Sequence, residues 1–430
     1  MSDKEQIEFK NYYMVIFSIN YFFQGLNQSL FAVIIPIYLI QFVGVINIDA
    51  LAFLATVISI PWIFKIIYGV LGDKYGSKRF GRRRIWITSM VIFSGIMWTW
   101  LGIPGLFTKE NAIFVFMIFG LLISLGTTFA DTIIDGFILD ICPKEKLGRT
   151  SGLCWGFRSV GAIAGGPAFA LLVAMGSLDV PSLFILIGIL VIATALLTVL
   201  VKEPKEFPEV IVTFHLKQMF NNKRDLKTYI FSFFSAMVDT VVVLIISIYI
   251  LIQMGIISSE GVSLSLPAGD LNVYLYNGYI TMIISSGIIG GAVIGGQIAD
   301  RITRKLSVYL AYILTTIAFL LMLITTQWPI LIIFSVIVGI ASGWRHSSYA
   351  AVVTEISKLH PEMDSTYYSL CNAFSNFGAI LGLAITGIIL RLTESYLVVF
   401  LFCAIISNIG LIGFILLNPA DYEHKKINNK

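Results

Sequence analysis

Long apolar runs alternate with short polar stretches along the whole chain, at Tyr12–Gln41, Ala50–Leu71, Ile85–Ile103, Ala112–Ile141, Ser151–Met175, Pro181–Val201, Thr228–Ile252, Val273–Ala299, Leu306–Thr325, Pro329–Ile356, Thr366–Leu390 and Tyr396–Leu417. A helix needs about 20 largely apolar residues to cross a bilayer, so the pattern predicts twelve membrane helices and an all-α integral membrane protein. Short polar tails flank them, Met1–Lys10 and Asn418–Lys430. The first run is too long for a removable signal peptide and lacks a small-residue cleavage site. It is expected to stay as the first membrane helix.

Composition agrees. The 430 residues are 57% hydrophobic and 13% charged, and the mean hydropathy of +0.88 excludes a soluble globular domain of this length. Lys74 to Arg84 follow the second run, Lys144, Lys146 and Arg149 the fourth, and Lys202 to Lys227 the sixth. Arg301, Arg304 and Lys305 follow the eighth, Lys358 the tenth, and Lys425, Lys426 and Lys430 the last, while the opposite loops hold only Lys109 and Arg391. The positive-inside rule therefore predicts cytoplasmic N- and C-termini, with the plasma (cytoplasmic) membrane as the expected location. The net charge of +4 is spent on that asymmetry, and no nucleic-acid partner is expected. Cys142, Cys154, Cys371 and Cys403 show neither C-x-x-C spacing nor pairing with the histidines, so no metal is expected. Without a phosphate-binding loop, no cofactor or ATP-driven step is expected either.

The longest charged stretch between apolar runs divides the chain into an N-terminal six-helix bundle (1–201), a central cytoplasmic loop (202–227) with an amphipathic patch around Val210–Phe220, a C-terminal six-helix bundle (228–417) and a cytoplasmic tail (418–430). A repeat supports the division. Gly69, Asp73, Lys74, Gly76, Lys78 and Arg79 follow the second run in a pattern echoed after the eighth by Gly296, Asp300, Arg301, Arg304 and Lys305. Such internal symmetry is expected of a secondary transporter. The two copies resemble the cytoplasmic signature loop of the major facilitator superfamily. That resemblance implies two pseudo-symmetric six-helix bundles, with Asp73 near the helix that starts at Asp364-Ser365-Thr366. Glycines in the loop allow close helix approach, and an aspartate there can meet a helix N-terminus. Ser77 and Thr303 depart from the family pattern. The extended Ser77-Lys-Arg-Phe-Gly-Arg-Arg-Arg84 is similar to the loop of sugar symporters.

Ionisable side chains inside a membrane are costly and mark solute or ion pathways. At about 1.5 Å per residue, Lys65, Asp131, Asp135 and Arg158 lie about 9–15 Å from the cytoplasmic interface. Asp131 and Asp135 share a helix face, so Lys65 and Arg158 are expected to offset them from two other helices. A purely structural ion-pair cluster is the alternative. Asp140 is expected to anchor a loop. In the second half Asp239 and Arg345 lie at similar depth, so a pair is expected. His346 beside them is either a proton-linked group or a neutral imidazole on a backbone carbonyl, and Glu355 either a gate carboxylate or a wetted one.

In the family the first, fourth, seventh and tenth helices line the cavity. The resemblance therefore places Asp131, Asp135, Asp239, Arg345 and His346 on that lining, with the amides Asn20, Gln24, Asn27 and Gln28 of the first run. Those amides either bind solute or join helices. Pro61 to Gly69, Asp131-x-x-x-Asp135-Gly136 and Trp155 to Gly161 look like stretches of folate–biopterin transporters. The first two also resemble muropeptide permeases and acetyl-CoA transporters. The resemblance implies a large anionic or amphipathic solute, with Lys65 and Arg158 as anion partners and the carboxylates as proton or gating groups. Gly152, Gly161, Gly165, Gly166 and Pro167 nearly reproduce the motif of drug-efflux antiporters.

The expected function is proton-coupled secondary transport of a small organic solute by alternating access, by a monomer in the lipid bilayer and without enzymatic activity. A sugar-type symporter or an efflux antiporter is the nearest alternative. A non-transporting sensor or assembly factor of the same fold is the alternative of another class.

Overall fold

A computed structural model describes residues 9–44, 48–77, 79–203, 220–258, 271–360 and 364–423. Among the described residues twelve helices are long and apolar enough to cross a membrane: spans 1 to 12 at Asn11–Val43, Asp49–Gly72, Arg84–Leu101, Ala112–Ile138, Leu153–Ala174, Val180–Thr198, Lys223–Gln253, Asn272–Arg301, Arg304–Leu321, Trp328–Ser357, Thr366–Thr393 and Tyr396–Ile415. Among the described residues the only extended pairing is a bridge between Ser77 and Gly81. The amphipathic patch around Val210–Phe220 lies outside the described residues except for Phe220.

The chain clusters into two units. The first comprises Met1–Gly44, Val57–Val212 and Pro267–Gly278, and the second Val45–Thr56, Thr213–Leu266 and Tyr279–Lys430.

In the first unit, spans 1 and 5 touch backbone to backbone. A Cβ on Gly25 would stand 1.9 Å from the Arg158 carbonyl oxygen, and one on Gly161 would stand 1.9 Å from that of Phe22. Both helices also widen to π turns, Leu30–Ile34 in span 1 and Ala164–Ala168 in span 5. Prolines explain the widening. Pro36 follows the first turn and Pro167 lies inside the second, and a proline ring crowds the carbonyl four residues earlier while lacking an N–H. The glycines of the efflux-like motif thus serve a packed helix pair. Trp98, Phe184 and Phe116 fill the core on the far side of span 1.

The second unit repeats the device. A Cβ on Gly378 would stand 1.7 Å from the Phe233 carbonyl oxygen, and one on Gly382 would stand 1.8 Å from that of Met237, so span 11 lies on span 7 as span 5 lies on span 1. Span 7 is not continuous, because a turn at 236–238 separates Lys223–Ser235 from Asp239–Gln253. Asp239 therefore opens a new helix, where its negative charge meets the positive end of the backbone dipole.

Backbone contact of this kind makes a testable asymmetry among glycines. Gly161→Ala and Gly378→Ala force a methyl into a carbonyl and should each lower the melting temperature in detergent, by overpacking worth about 1–3 kcal/mol. Gly156, with nothing within 4 Å of an added Cβ, is the control: Gly156→Ala should hold or raise it through helix propensity worth about 1 kcal/mol.

Candidate functional site

Span 2 carries a 3-10 turn at Ile60–Phe64, with Pro61 in its first positions, and restarts as α-helix at Lys65. Further along, a Cβ on Gly72 would stand 2.0 Å from Ile133 Cδ1 of span 4, so the two helices run close and a lysine can reach across. Lys65 Nζ donates to Asp131 Oδ2 at 2.6 Å and lies 3.8 Å from Asp135 Oδ2. Tyr21 of span 1 donates its hydroxyl to Asp135 Oδ1. The Asp131 side chain is 1% exposed and that of Asp135 is 35% exposed. One carboxylate is thus locked onto the ammonium, and the other is open on one side.

Arg158 forms no salt bridge to either aspartate among the described residues, and its expected charge compensation reaches Asp135 only through space. Its Nη2 donates to Gln28 Oε1 at 3.0 Å, and its guanidinium lies 5.4 Å from the Trp62 ring and 4.9 Å from the Trp155 ring. Lys65 Nζ lies over the same Trp62 ring at 5.6 Å. A guanidinium between two indoles is held by ring quadrupoles and keeps donors for an anion.

Asn20, Gln24 and Asn27 point elsewhere, into the interior of the first unit, where with Ser94 of span 3, Thr127 of span 4 and Thr194 of span 6, and with apolar neighbours such as Phe23 and Val91, they line a cavity of about 20 Å³. Asn27 donates to Thr127 and Asn20 to Thr198, while both amide atoms of Gln24 lack a protein partner. A space of this size admits one water. Of the amide stripe, Gln28 alone reaches a charged group of the cluster.

In the second unit Arg345 Nη2 donates to Asp239 Oδ1, and His346 Nδ1 lies 3.4 Å from Asp239 Oδ2. The expected pair is formed. Arg345 is 2% exposed with Nε and Nη1 unpartnered, whereas the His346 ring is 65% exposed.

The signature loops are built on carboxylates that the sequence did not single out. After span 6, Glu203 accepts from the backbone N–H groups of Arg83 and Arg84, which start span 3, at 2.6 and 3.2 Å. After span 12, Glu423 accepts from those of Arg304 and Lys305, which start span 9, at 3.1 and 2.7 Å. The repeat extends one step further. Arg83 Nε donates to Asp140 at the end of span 4, and Arg304 Nη2 to Glu355 at the end of span 10. Asp140 does anchor the loop, through Arg82 as well as Arg83, and Glu355 is tied to Arg304 and Lys358 rather than simply wetted. Burial pushes the Glu203 carboxyl up from the ordinary range, against the pull of the two backbone N–H groups and Arg84. Gly81 turns with φ +97°, and a Cβ there would strike Glu203. The Asp73 side chain, expected at a gate, lies outside the described ones, as do the side chains of Asp364 and Ser365, which open its expected partner helix. Asp300 and Arg301 are exposed, as are Lys74 and Gly76, and Gly296 and Gly69 meet nothing closer than ordinary contact.

Sequence reasoning missed Tyr21, Trp62, Trp155, Glu203 and Glu423 as parts of these assemblies. The two glutamates had a signal in the repeat, since each follows the sixth run of its half. Gln24 provides a direct check on the placement of the amides. Gln24→Leu, of similar volume and without polar atoms, should melt at or above the parent temperature, because an incompletely paired amide contributes little. It should also leave solute affinity unchanged.

The sequence matches the family profile described as Major Facilitator Superfamily over residues 17–269 and again over 228–430. It is 23% identical over 354 residues to a protein of Rickettsia conorii named as transporter AmpG 1, covering 76% of this chain and 79% of that one. A folate-biopterin transporter of Arabidopsis thaliana is 27% identical over 160 residues, 36% of this chain and 31% of its own length. Among solved structures, a mutant of the nucleoside transporter NupG superposes with a TM-score of 0.69 at 14% identity, covering 94% of this chain and all of that one. A D-xylose-proton symporter gives 0.66 at 14% identity, covering 95% and 98%. With both halves of its length matched by one profile, and with the fold shared by these solved transporters, this chain belongs to the Major Facilitator Superfamily.

Proposed function

We propose that this protein is a proton-coupled secondary transporter of a small organic anion with an apolar or flat portion, working by alternating access. The observation that carries the reading is the charge count around Lys65. Two carboxylates lie within 4 Å of one ammonium, so one negative charge has no salt-bridge partner of its own and is offset only through space by the Arg158 guanidinium, in a setting where charge is expensive. Binding one proton neutralises it. The exposed carboxylate is Asp135, and Tyr21 orients it, which makes Asp135 the proton-exchanging group and Asp131 the fixed counter-ion of Lys65.

The solute class follows from Arg158. It makes no salt bridge among the described residues and stands between Trp62 and Trp155, so an incoming anion meets a guanidinium fork and an aromatic wall together. A relative whose name includes folate and biopterin as cargo supports an anionic solute, and the fold shared with a proton symporter supports the coupling. Aromatic walls also suit sugars, and a D-xylose-proton symporter is among the structural neighbours. A melting-temperature screen of the purified protein with anionic solutes and neutral disaccharides distinguishes the two: stabilisation by anions only supports the reading, and stabilisation by disaccharides only rejects it. A ligand at a hundredfold excess over its dissociation constant contributes about 2.7 kcal/mol.

Two substitutions separate coupling from binding. Asp135→Asn should abolish the response of uptake to a proton gradient while solute exchange at equal concentrations continues; uphill uptake by this variant would remove Asp135 from the coupling. Arg158→Gln should weaken binding of the anion about 10- to 100-fold, the size of a charge-assisted hydrogen bond of about 1.5–3 kcal/mol, with the proton response kept. Unchanged affinity in a titration of that variant would move the anion site elsewhere.

A further inference from the structure

At the start of span 7, Asp225 lies in the first helical turn after the cap residue Asn222, and its side chain is completely buried. Its Oδ1 accepts from Arg224 Nε at 3.0 Å and stands 3.2 Å from His360 Nε2, in the connection between spans 10 and 11. The same His360 Nε2 stands 2.9 Å from Arg224 Nη2. The His360 ring stacks on Tyr367 of span 11 with centroids 4.4 Å apart and planes at 20°. Next to Tyr367 come Tyr229 of span 7 and Cys371. Among the described residues these are the titratable and charged groups around the imidazole.

One nitrogen therefore faces a neighbour that can only donate and a neighbour that can only accept. A guanidinium has no lone pair, and an ionised carboxylate has no proton. A neutral ring protonated at Nδ1 accepts at Nε2 from Arg224 and has nothing to give Asp225, while one protonated at Nε2 donates to Asp225 but brings it no charge. With a proton on Nε2 of the imidazolium, it donates to Asp225 Oδ1, and Arg224 Nη2 loses its acceptor and faces a like charge at 2.9 Å, while Arg224 Nε keeps its bond to Asp225. The second oxygen of Asp225 has no partner, and the Arg224 side chain, 25% exposed, is free to shift onto it. The two bonds at Nε2 exclude each other; a neutral ring can make either, and an added proton removes the one to Arg224 and commits Nε2 to Asp225.

We propose that His360, Asp225 and Arg224 form a proton-binding site separate from the Lys65 cluster, in which protonation of His360 exchanges the Arg224 bond for a His360–Asp225 ion pair. The exchange replaces a bond to a neutral ring with a pair between opposite charges, and binds the first turn of span 7 more firmly to the connection between spans 10 and 11. Histidine is the residue type that changes charge near neutral pH, so the site responds to acidification of the compartment that bathes this end of the bundle. The sign is fixed by the geometry. The charged ring is confined to the tied form and the neutral ring is not, so acid favours that form and alkali relaxes it. This site rests on no assignment of the solute or of the coupling group.

Hydrogen exchange of the full-length protein in detergent tests it, read at Lys223–Tyr229 and at 357–360 and corrected for intrinsic rates, between about pH 7.5 and about pH 5.5. In the parent, protection of both segments should rise several-fold toward acid. In His360→Gln, which keeps a donor for Asp225 but cannot gain a charge, protection should be the same at both ends. Arg224→Gln removes the competing cation and should move the midpoint to higher pH with the rise retained, which keeps the test decisive if the first variant does not fold. A parent with no more pH dependence than His360→Gln, or an Arg224→Gln midpoint at the parent value, overturns the proposal.

Discussion

An ammonium within an apolar helix is tolerable only where an opposite charge meets it, and Asp131 at 2.6 Å is that charge for Lys65. Much of the first unit can be understood as what this pair requires. The 3-10 turn after Pro61 precedes the α-helix that opens on Lys65. Gly72 removes the side chain that would hold span 2 away from Ile133 of span 4. Asp131 and Asp135 stand one turn apart, so the second carboxylate cannot escape the first, and a hydroxyl from Tyr21 satisfies the oxygen that Lys65 does not reach. Removing one partner of a buried pair leaves the other uncompensated, at a cost of about 3–5 kcal/mol. Such a cluster is therefore assembled as a whole, and any change of its proton content acts on all its members.

The internal repeat is deeper in three dimensions than along the chain. In sequence it is a string of glycines, an aspartate and basic residues after spans 2 and 8. In the structure each unit closes the same circuit: the first turn of a span donates its free backbone N–H groups to a glutamate beyond the last span of that unit, and the arginine beside them pairs with a carboxylate at the end of another. A helix start has unpaired N–H groups that must find acceptors. A carboxylate serves two at once and adds a favourable dipole interaction. Spans 1 with 5 and 7 with 11 repeat the other half of the design, in which glycines let one backbone lie against the next carbonyl.

The twelve helices, their polar boundaries and the identity of the buried charges were legible because hydropathy and charge are properties of single positions, and a bilayer makes each of them decisive. Partners were legible where depth and helix face sufficed: Lys65 with Asp131, and Asp239 with Arg345. Depth alone failed for Arg158, because two indoles and an amide offered it a place that a carboxylate did not, and a ring in an apolar run looks like any other core residue. Asn20, Gln24 and Asn27 share a face, as their spacing says, but spacing along one helix does not state which neighbours that face meets. Here it meets Ser94, Thr127 and Thr194. The break at 236–238 in span 7 was also hidden, since Ala236-Met-Val238 carries no proline or glycine, and only the packing of Gly382 on Met237 marks the place.

The two buried charge groups differ in a way that bears on energetics. Around Lys65 two carboxylates share one ammonium, so the group is negative until it gains a proton. Around Arg345 one carboxylate meets one guanidinium and a histidine, so the group is balanced with a neutral imidazole and turns positive with a proton. A proton therefore lowers the electrostatic cost of the first group and raises that of the second. In a medium of low dielectric such differences are large, and an anion entering near Arg158 brings a charge that a proton on Asp135 offsets. Under the function proposed above, proton and anion pass together as a neutral sum, with no need for either aspartate to release its lysine.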